Sequence, residues 1–127
     1  MPWEKQEYKY QQGKWTPKDI LLHLTDTERI FAYRALKIVR GEGEDLKSFD
    51  QDVFVNYAKA NKFDMAALLA QYSDVRQMSI SLFKSFDLDQ LELKGSVSGN
   101  LISARSLGFI ILGHEMHHIE VIKERYL

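Results

Sequence analysis

The chain of 127 residues carries four histidines, and three of them stand within five positions, in His114-Glu115-Met116-His117-His118. Side chains at i and i+4 of a helix lie one above the other, so His114 and His118 can offer two imidazole nitrogens to one point in space. Two such nitrogens suit a divalent cation, and a carboxylate beside them can accept protons. Read literally, the segment also satisfies H-E-x-x-H, in which the Glu is the general base of a zinc peptidase. That pattern is short and arises often by chance. No glycine-spaced third histidine follows it, and only nine residues remain after His118. The peptidase reading also requires an edge strand against which a peptide could lie, and no strand pattern is evident.

Cysteine is absent. Disulfides, thiolate nucleophiles, Cys-type zinc sites and iron–sulfur ligation are excluded together. Any metal site must then be built from histidines and carboxylates. A chain free of cysteine is compatible with a reducing compartment, and a cytoplasmic location is expected.

The facing of the histidines follows from about 100° of rotation per helical residue. With His114 at zero, His118 falls at about +40°, among Leu107 at about +20°, Ile111 at about +60°, Ile122 at about +80°, Val121 at about −20° and Ile110 at about −40°. Leu112, Ile119 and Tyr126 widen this apolar sector. His117, at about −60°, lies on its edge and reads as a rim residue. Glu115, at about +100°, fits two roles: an inward general base or partner of a ligand histidine, or a rim carboxylate. Further up the chain, His23 shares a stripe with Ile20, Thr27, Ile30, Arg34 and Ile38. It is a third inward candidate, from a different helix. Three imidazoles on one cation leave coordination positions open for water or substrate, and the ion satisfies nitrogens that would be costly to bury alone. A lone inward histidine is more often a hydrogen-bonded core residue, and spacing alone does not bring His23 to the pair. Asp26, Thr27 and Arg34 lie on or near the His23 face and could orient a ligand or bind an anion. Arg34 is about three turns away and reads better as one half of an ion pair inside the bundle.

The elements that must position these residues are long helices. The first takes Thr16 as N-cap, Pro17 as its first residue and Asp19 near the positive end of the dipole. It runs to about Arg40, where Gly41 and Gly43 stop it. A shorter helix is expected over Gln51–Ala60, with the Asp50/Asp52 pair read as cap and dipole partners rather than metal ligands. The second long helix starts after Asp64 and reaches about Phe86. Between Asp87 and Asn100 the chain is turn-rich, and the last helix takes Ser103 as N-cap and continues almost to Leu127. No convincing alternation points to strands, so the fold class is an all-α bundle in a single domain, residues 1–127.

Seventeen Lys and Arg against eighteen Asp and Glu give a net charge of −1, so neither nucleic acid nor an anionic membrane is an expected partner. Trp3, Tyr8, Tyr10 and Trp15 are accordingly read as packing or interface aromatics rather than a base-stacking surface. The N-terminus has no apolar signal region, and no window approaches the roughly 18 apolar residues of a membrane span.

Taken in order, KWTPKDILLHLTDTERIFAYRALKIVRGE, FDQD, AQYSDVRQ and GHEMHHIEVIKERYL resemble the DinB-like superfamily, and within it the DinB/YfiT-like branch of metal-dependent hydrolases. The resemblance spans nearly the whole chain and is far more specific than H-E-x-x-H. It implies a four-helix bundle in which one His, after a Trp-containing turn, joins an H-x-x-x-H pair near the C-terminus on a divalent metal, zinc or nickel. Those positions are His23, following Trp15, and His114 and His118. It also implies hydrolysis, or transfer of a low-molecular-weight thiol, on a small-molecule substrate; Glu115, from its place on the wheel, is the candidate catalytic carboxylate. The competing reading is a non-catalytic helical binding or dimerisation module. Members of the family usually carry a further long helix before the Trp turn, and this chain begins almost at that turn. An apolar groove is therefore expected to lie exposed, with a partner subunit covering it, most simply in a homodimer.

Overall fold

Thr16 opens the first helix with a reciprocal cap. The Asp19 N–H donates to Thr16 Oγ1 at 3.1 Å and the Thr16 N–H donates to Asp19 Oδ2 at 2.9 Å. Two backbone donors that the helix itself cannot satisfy are thereby used, and Pro17 has no third to offer. The computed structural model describes residues 15–125, and helix α1 spans Pro17–Val39. Trp3, Tyr8, Tyr10 and Tyr126 lie outside the described residues.

The helix ends where expected. Gly41 takes φ +85°, and the N–H groups of Arg40 and Gly41 turn back to the carbonyls of Leu36 and Ile38. Helix α2, Gln51–Ala58, is capped by Asp50, whose Oδ1 accepts from the N–H groups of Asp52 and Val53 at 3.0 and 3.1 Å. It stops short of Ala60 because Lys59 enters the left-handed region at φ 52°, and a 3₁₀ turn, Ala60–Lys62, follows. Helix α3, Met65–Lys84, starts on Asp64, which accepts from the Ala67 N–H at 2.8 Å. A short helix α4, Leu88–Glu92, then leads to the one element type that the sequence pattern does not announce.

Lys94–Val97 (β1) and Asn100–Ser103 (β2) form an antiparallel hairpin, with Gly95 opposite Ile102 and Ser96 opposite Leu101. Strands of four residues are too short to display alternation. The turn between them uses positive φ at both Ser98 (51°) and Gly99 (83°), the geometry whose twist suits a two-residue hairpin loop. The hairpin is fastened to the loop after α1: Ser96 N–H donates to the Gly43 carbonyl at 2.9 Å, and Leu46 N–H donates to the Ser96 carbonyl at 2.8 Å. Gly43 and Gly95 meet there against Ile38. A Cβ on Gly95 would come within 2.5 Å of the Gly43 oxygen and 2.6 Å of Ile38 Cγ1. Gly43 thus serves this close approach rather than helix termination. Gly95→Ala is expected to lower stability by about 1–3 kcal/mol through overpacking, read as a fall in the urea midpoint.

Helix α5, Ala104–Arg125, leaves the hairpin with Ser103 Oγ accepting from the Ser106 N–H at 3.1 Å. Helix α1 is the central member: α3 and α5 both pack on it and barely on each other. The core divides along α1. At one end Ala35, Ile38 and Val39 meet Phe86, Ala104 and Leu107; at the other Ile20 and Leu24 meet Trp15, Tyr72, Val121 and Ile122. A third cluster, Leu22, Ala60 and Leu68, closes the α3 side.

Two expectations are corrected. Arg34 is buried but forms no ion pair among the described residues. Its guanidinium donates to the Lys47 carbonyl at 2.8 Å and lies over the rings of Phe31 and Phe49, 5.6 and 5.8 Å from their centroids. A carbonyl dipole and two π faces replace the carboxylate. On α5 the apolar sector is wider than the buried one: Leu107 and Ile111 are buried, whereas Ile110, Leu112 and Ile119 are exposed. Leu107 meets α1 and the α3–α4 end in the core, whereas the outer members of the sector are left largely outside that contact. No helix of the described residues is long and apolar enough to cross a membrane.

Candidate metal centre

His23 sits two turns into α1, between the Ile20/Leu24 cluster and Thr27, and is 4% exposed. His114 and His118 descend from α5 on the side facing α1, both half-buried. The Nε2 atoms of His23 and His114 are 3.1 Å apart, and those of His118 and His114 are 3.0 Å apart. Ligand atoms of all three residues lie within 4.8 Å of one another. Residues 91 positions apart in sequence are thus brought together, the step that spacing could not supply. His117 is exposed on the rim beside His118, as expected.

Hydrogen bonding alone does not account for this convergence. An imidazole nitrogen carries either one hydrogen or one in-plane lone pair, so His114 Nε2 can make one good hydrogen bond, not two at 3.0 and 3.1 Å. At the usual metal–imidazole distance of about 2.0–2.1 Å, those two separations correspond to N–metal–N angles of about 90–100°. The two short separations suit one shared divalent ion, and the third pair, within 4.8 Å, would need only a small side-chain adjustment to meet it. On the far side of His23, Thr27 Oγ1 lies 3.4 Å from Nδ1 and orients the ring. His118 Nδ1 is buried with no partner among the described residues. The Trp15 ring packs over His23 at 4.6 Å and stacks on His118 at 6.2 Å, screening the cluster from one side.

Burial, followed by the neighbouring His114 and His118, pushes His23 down to about 3. Burial, with His114 and His117, pushes His118 down to about 4. His114 is lowered by burial and by His117. The imidazoles are therefore neutral near pH 7, the form a metal requires. The same shifts carry a stability consequence for the metal-free protein. Protonation is favoured in the unfolded chain, so stability is at its plateau above the ordinary value of 6.5 and falls with falling pH towards 4. Two such groups give a slope of roughly 1–3 kcal/mol per pH unit. Urea titrations of chelator-treated protein between pH 7.5 and 4.5 are expected to show it, with a shallower slope in His23→Gln; equal slopes would refute the assignment.

Glu115 points away from the simple general-base arrangement. Its Oε1 lies 3.4 Å from an Arg76 nitrogen, and Arg76 grips Glu28 of α1 through Nε and Nη2 at 2.9–3.2 Å. Tyr72 Oη accepts from the same Arg76 nitrogen at 3.3 Å. Burial first, and Glu28 second, raise the Glu115 carboxyl above its usual range. Glu28, Arg76 and Glu115 share one narrow hollow with Leu24, Tyr72 and His114. Sequence reasoning missed Glu28 and Arg76, since each on its own helix reads as an ordinary surface charge. Asp26 is taken by Arg29 at 2.9 Å. The hairpin begins α5 about 16 Å of helical rise away from His114, so no strand among the described residues borders the cluster.

The profile of the DinB superfamily matches residues 1–122. Among solved structures, the chain is similar to YfiT from Bacillus subtilis, described as a probable metal-dependent hydrolase with an unusual four-helix bundle topology. The two superpose with a TM-score of 0.83 at 19% identity, over 98% of this chain and 72% of that one. At that identity the likeness speaks for the fold alone. No curated protein sequence matches the chain.

Proposed function

Because this chain belongs to the DinB superfamily, we propose that it holds one divalent ion on His23, His114 and His118 and uses it in hydrolysis, or in thiol transfer, on a small molecule. The observation that carries this reading is the convergence of three neutral imidazoles, with two short separations at one nitrogen that suit an ion and that a single hydrogen bond does not explain together. A divalent ion there supplies Lewis acidity, which activates water or a thiol and polarises a carbonyl. Zinc and nickel both suit an imidazole donor set.

The chain's own groups do the rest. Thr27 fixes the His23 ring at Nδ1, and Trp15 keeps solvent from one face of the cluster. Glu115, next to His114 in the chain, is the carboxylate we assign to proton transfer, and its contact with Arg76 at 3.4 Å would have to loosen for it to reach the cluster. For thiol transfer the sulfur comes from the cosubstrate, because the chain has none to give but methionine.

Chelator-treated protein titrated with zinc and with nickel is expected to take up one ion per chain. The loaded protein is then assayed against esters, amides and electrophile–thiol pairs. Absence of stoichiometric uptake defeats the site; uptake without turnover across the screen reassigns the chain as a metal-holding binding module.

A further inference from the structure

Arg34 carries a charge that the described residues leave uncompensated. It stands on α1 about three turns beyond His23 and on the same face, and only 8% of it is exposed. No carboxylate of the described residues pairs with it. Of the five N–H groups on a guanidinium, one donates to the Lys47 carbonyl, at 2.8 Å. Burial lowers its pKa, and no neighbouring acid offsets that. A buried cation without an anion is costly, and exceptions of this kind concentrate at functional sites.

Both rings that flank the guanidinium lead back to the histidine cluster. Phe31 lies 5.6 Å from it and 6.4 Å from the His114 ring, so at most about 12 Å separates the charge from that histidine. Phe31 also borders the hollow of His114 and Glu115. Phe49, 5.8 Å from the guanidinium, borders a second hollow with His23 and Thr27. The acids around these hollows are already matched: Asp26 by Arg29, Glu28 and Glu115 by Arg76, and Asp19 by the Thr16 N–H. The segment 47–50, which supplies both the Lys47 carbonyl and Phe49, belongs to no helix or strand.

We infer that Arg34 binds a carboxylate on the small molecule that the three-histidine centre acts on, an inference that rests on the metal-centre reading above. The reacting end of that molecule meets His23, His114 and His118, and its anionic end displaces the Lys47 carbonyl from the guanidinium. One unmatched positive charge balances a monoanion, whereas a phosphate dianion would bring a second charge with no partner. A carboxylate also accepts two parallel N–H bonds from the guanidinium fork, where the carbonyl takes one. Between the two ends Phe31 and Phe49 present apolar rings, so the stem of the molecule is apolar as well.

Calorimetric titration of the metal-free full chain compares hydrocinnamate with hydrocinnamyl alcohol, which keeps the ring and stem and loses the charge. The acid is expected to bind at least about tenfold more tightly, in line with a charge-assisted hydrogen bond. Arg34→Gln is expected to erase that preference, Arg34→Lys to keep only part of it because the fork is lost, and the exposed Arg40→Gln to leave it whole. Helical circular dichroism checks that each variant folds; if Arg34→Gln does not, Arg34→Lys carries the test. A second titration uses zinc-loaded protein with suberic acid monohydroxamate and with its methyl ester. The free acid is expected to bind at least about tenfold more tightly, and Arg34→Gln to level the two while hydroxamate binding stays. Equal binding of acid and alcohol by the unaltered chain overturns the inference. So does a preference that survives Arg34→Gln, inorganic phosphate that binds as tightly as the carboxylate, or equal binding of the two hydroxamates. Failure of zinc uptake counts against the histidine centre instead, and the metal-free titration still decides for or against Arg34.

Discussion

Alanine at His23 or at His118 is expected to weaken binding of the divalent ion at least about a hundredfold, beyond the roughly 10–100-fold that loss of a mere outer partner costs. The expectation rests on how the ion would be shared. His114 Nε2 is 3.1 Å from one neighbour and 3.0 Å from the other, so removing either leaves two ligands where three had converged. The exposed His117 is the internal control, since it lies on the rim and outside the three ligand residues, and His117→Ala is expected to bind nearly as the unaltered chain does. Competition against a chromophoric chelator measures the affinities. A second readout is thermal: an ion at a thousand times its dissociation constant stabilises the native state by about 4 kcal/mol, and both cluster variants are expected to lose that increment. Equal loss in His117→Ala, or none in His23→Ala, would show that the ion binds elsewhere.

Arg76→Met is expected to cost about 3 kcal/mol, within the range for breaking a buried ion pair by deleting one partner. Glu28 has only 4% of its side chain exposed, and both of its oxygens receive hydrogen bonds from Arg76. With the guanidinium gone, a buried carboxylate keeps its desolvation penalty and loses its compensation, while Glu115 loses the same cation at 3.4 Å. The double change Glu28→Leu with Arg76→Met is expected to recover most of the loss, because replacing both members by apolar groups removes the uncompensated charge. Urea unfolding of Arg76→Met, Glu28→Leu, the double variant and the unaltered chain closes the cycle. Additive losses would mean that the pair contributes little, and that Arg76 acts through packing on Tyr72, whose ring centroid lies 5.5 Å from its guanidinium.

What could be read before folding, and what could not, divides by sequence distance. Thr16, Pro17 and Asp19 announce a helix start within four residues, and the cap forms as written. The inward facing of His114 and His118 follows from rotation along a single helix. The meeting of His23 with them depends on α1 packing against α5, a matter of fold; there the resemblance to a family supplied what spacing lacked. The Glu28–Arg76–Glu115 cluster was illegible for the same reason, with its first two members 48 positions apart and no local pattern to mark them. The hairpin escaped notice because β1 and β2 have four residues each, and the lateral fastening of β1 comes from the loop after α1. Glu115 kept two readings on the wheel because a projection says which way a side chain leaves a helix, not what it finds there. The apolar sector of α5 was overdrawn likewise: rotation counts apolar residues, whereas burial counts the helices available to cover them.

The separation between His23 and His114 has a last consequence. An ion bound across it joins residues about ninety positions apart, so it stabilises the folded chain by mass action and must be released before α1 and α5 can part. In a protein without a single cysteine, an ion gripped by α1 and α5 would be a removable staple between the chain's two ends. Chelation would then reach the kinetics of unfolding as well as the chemistry of the site.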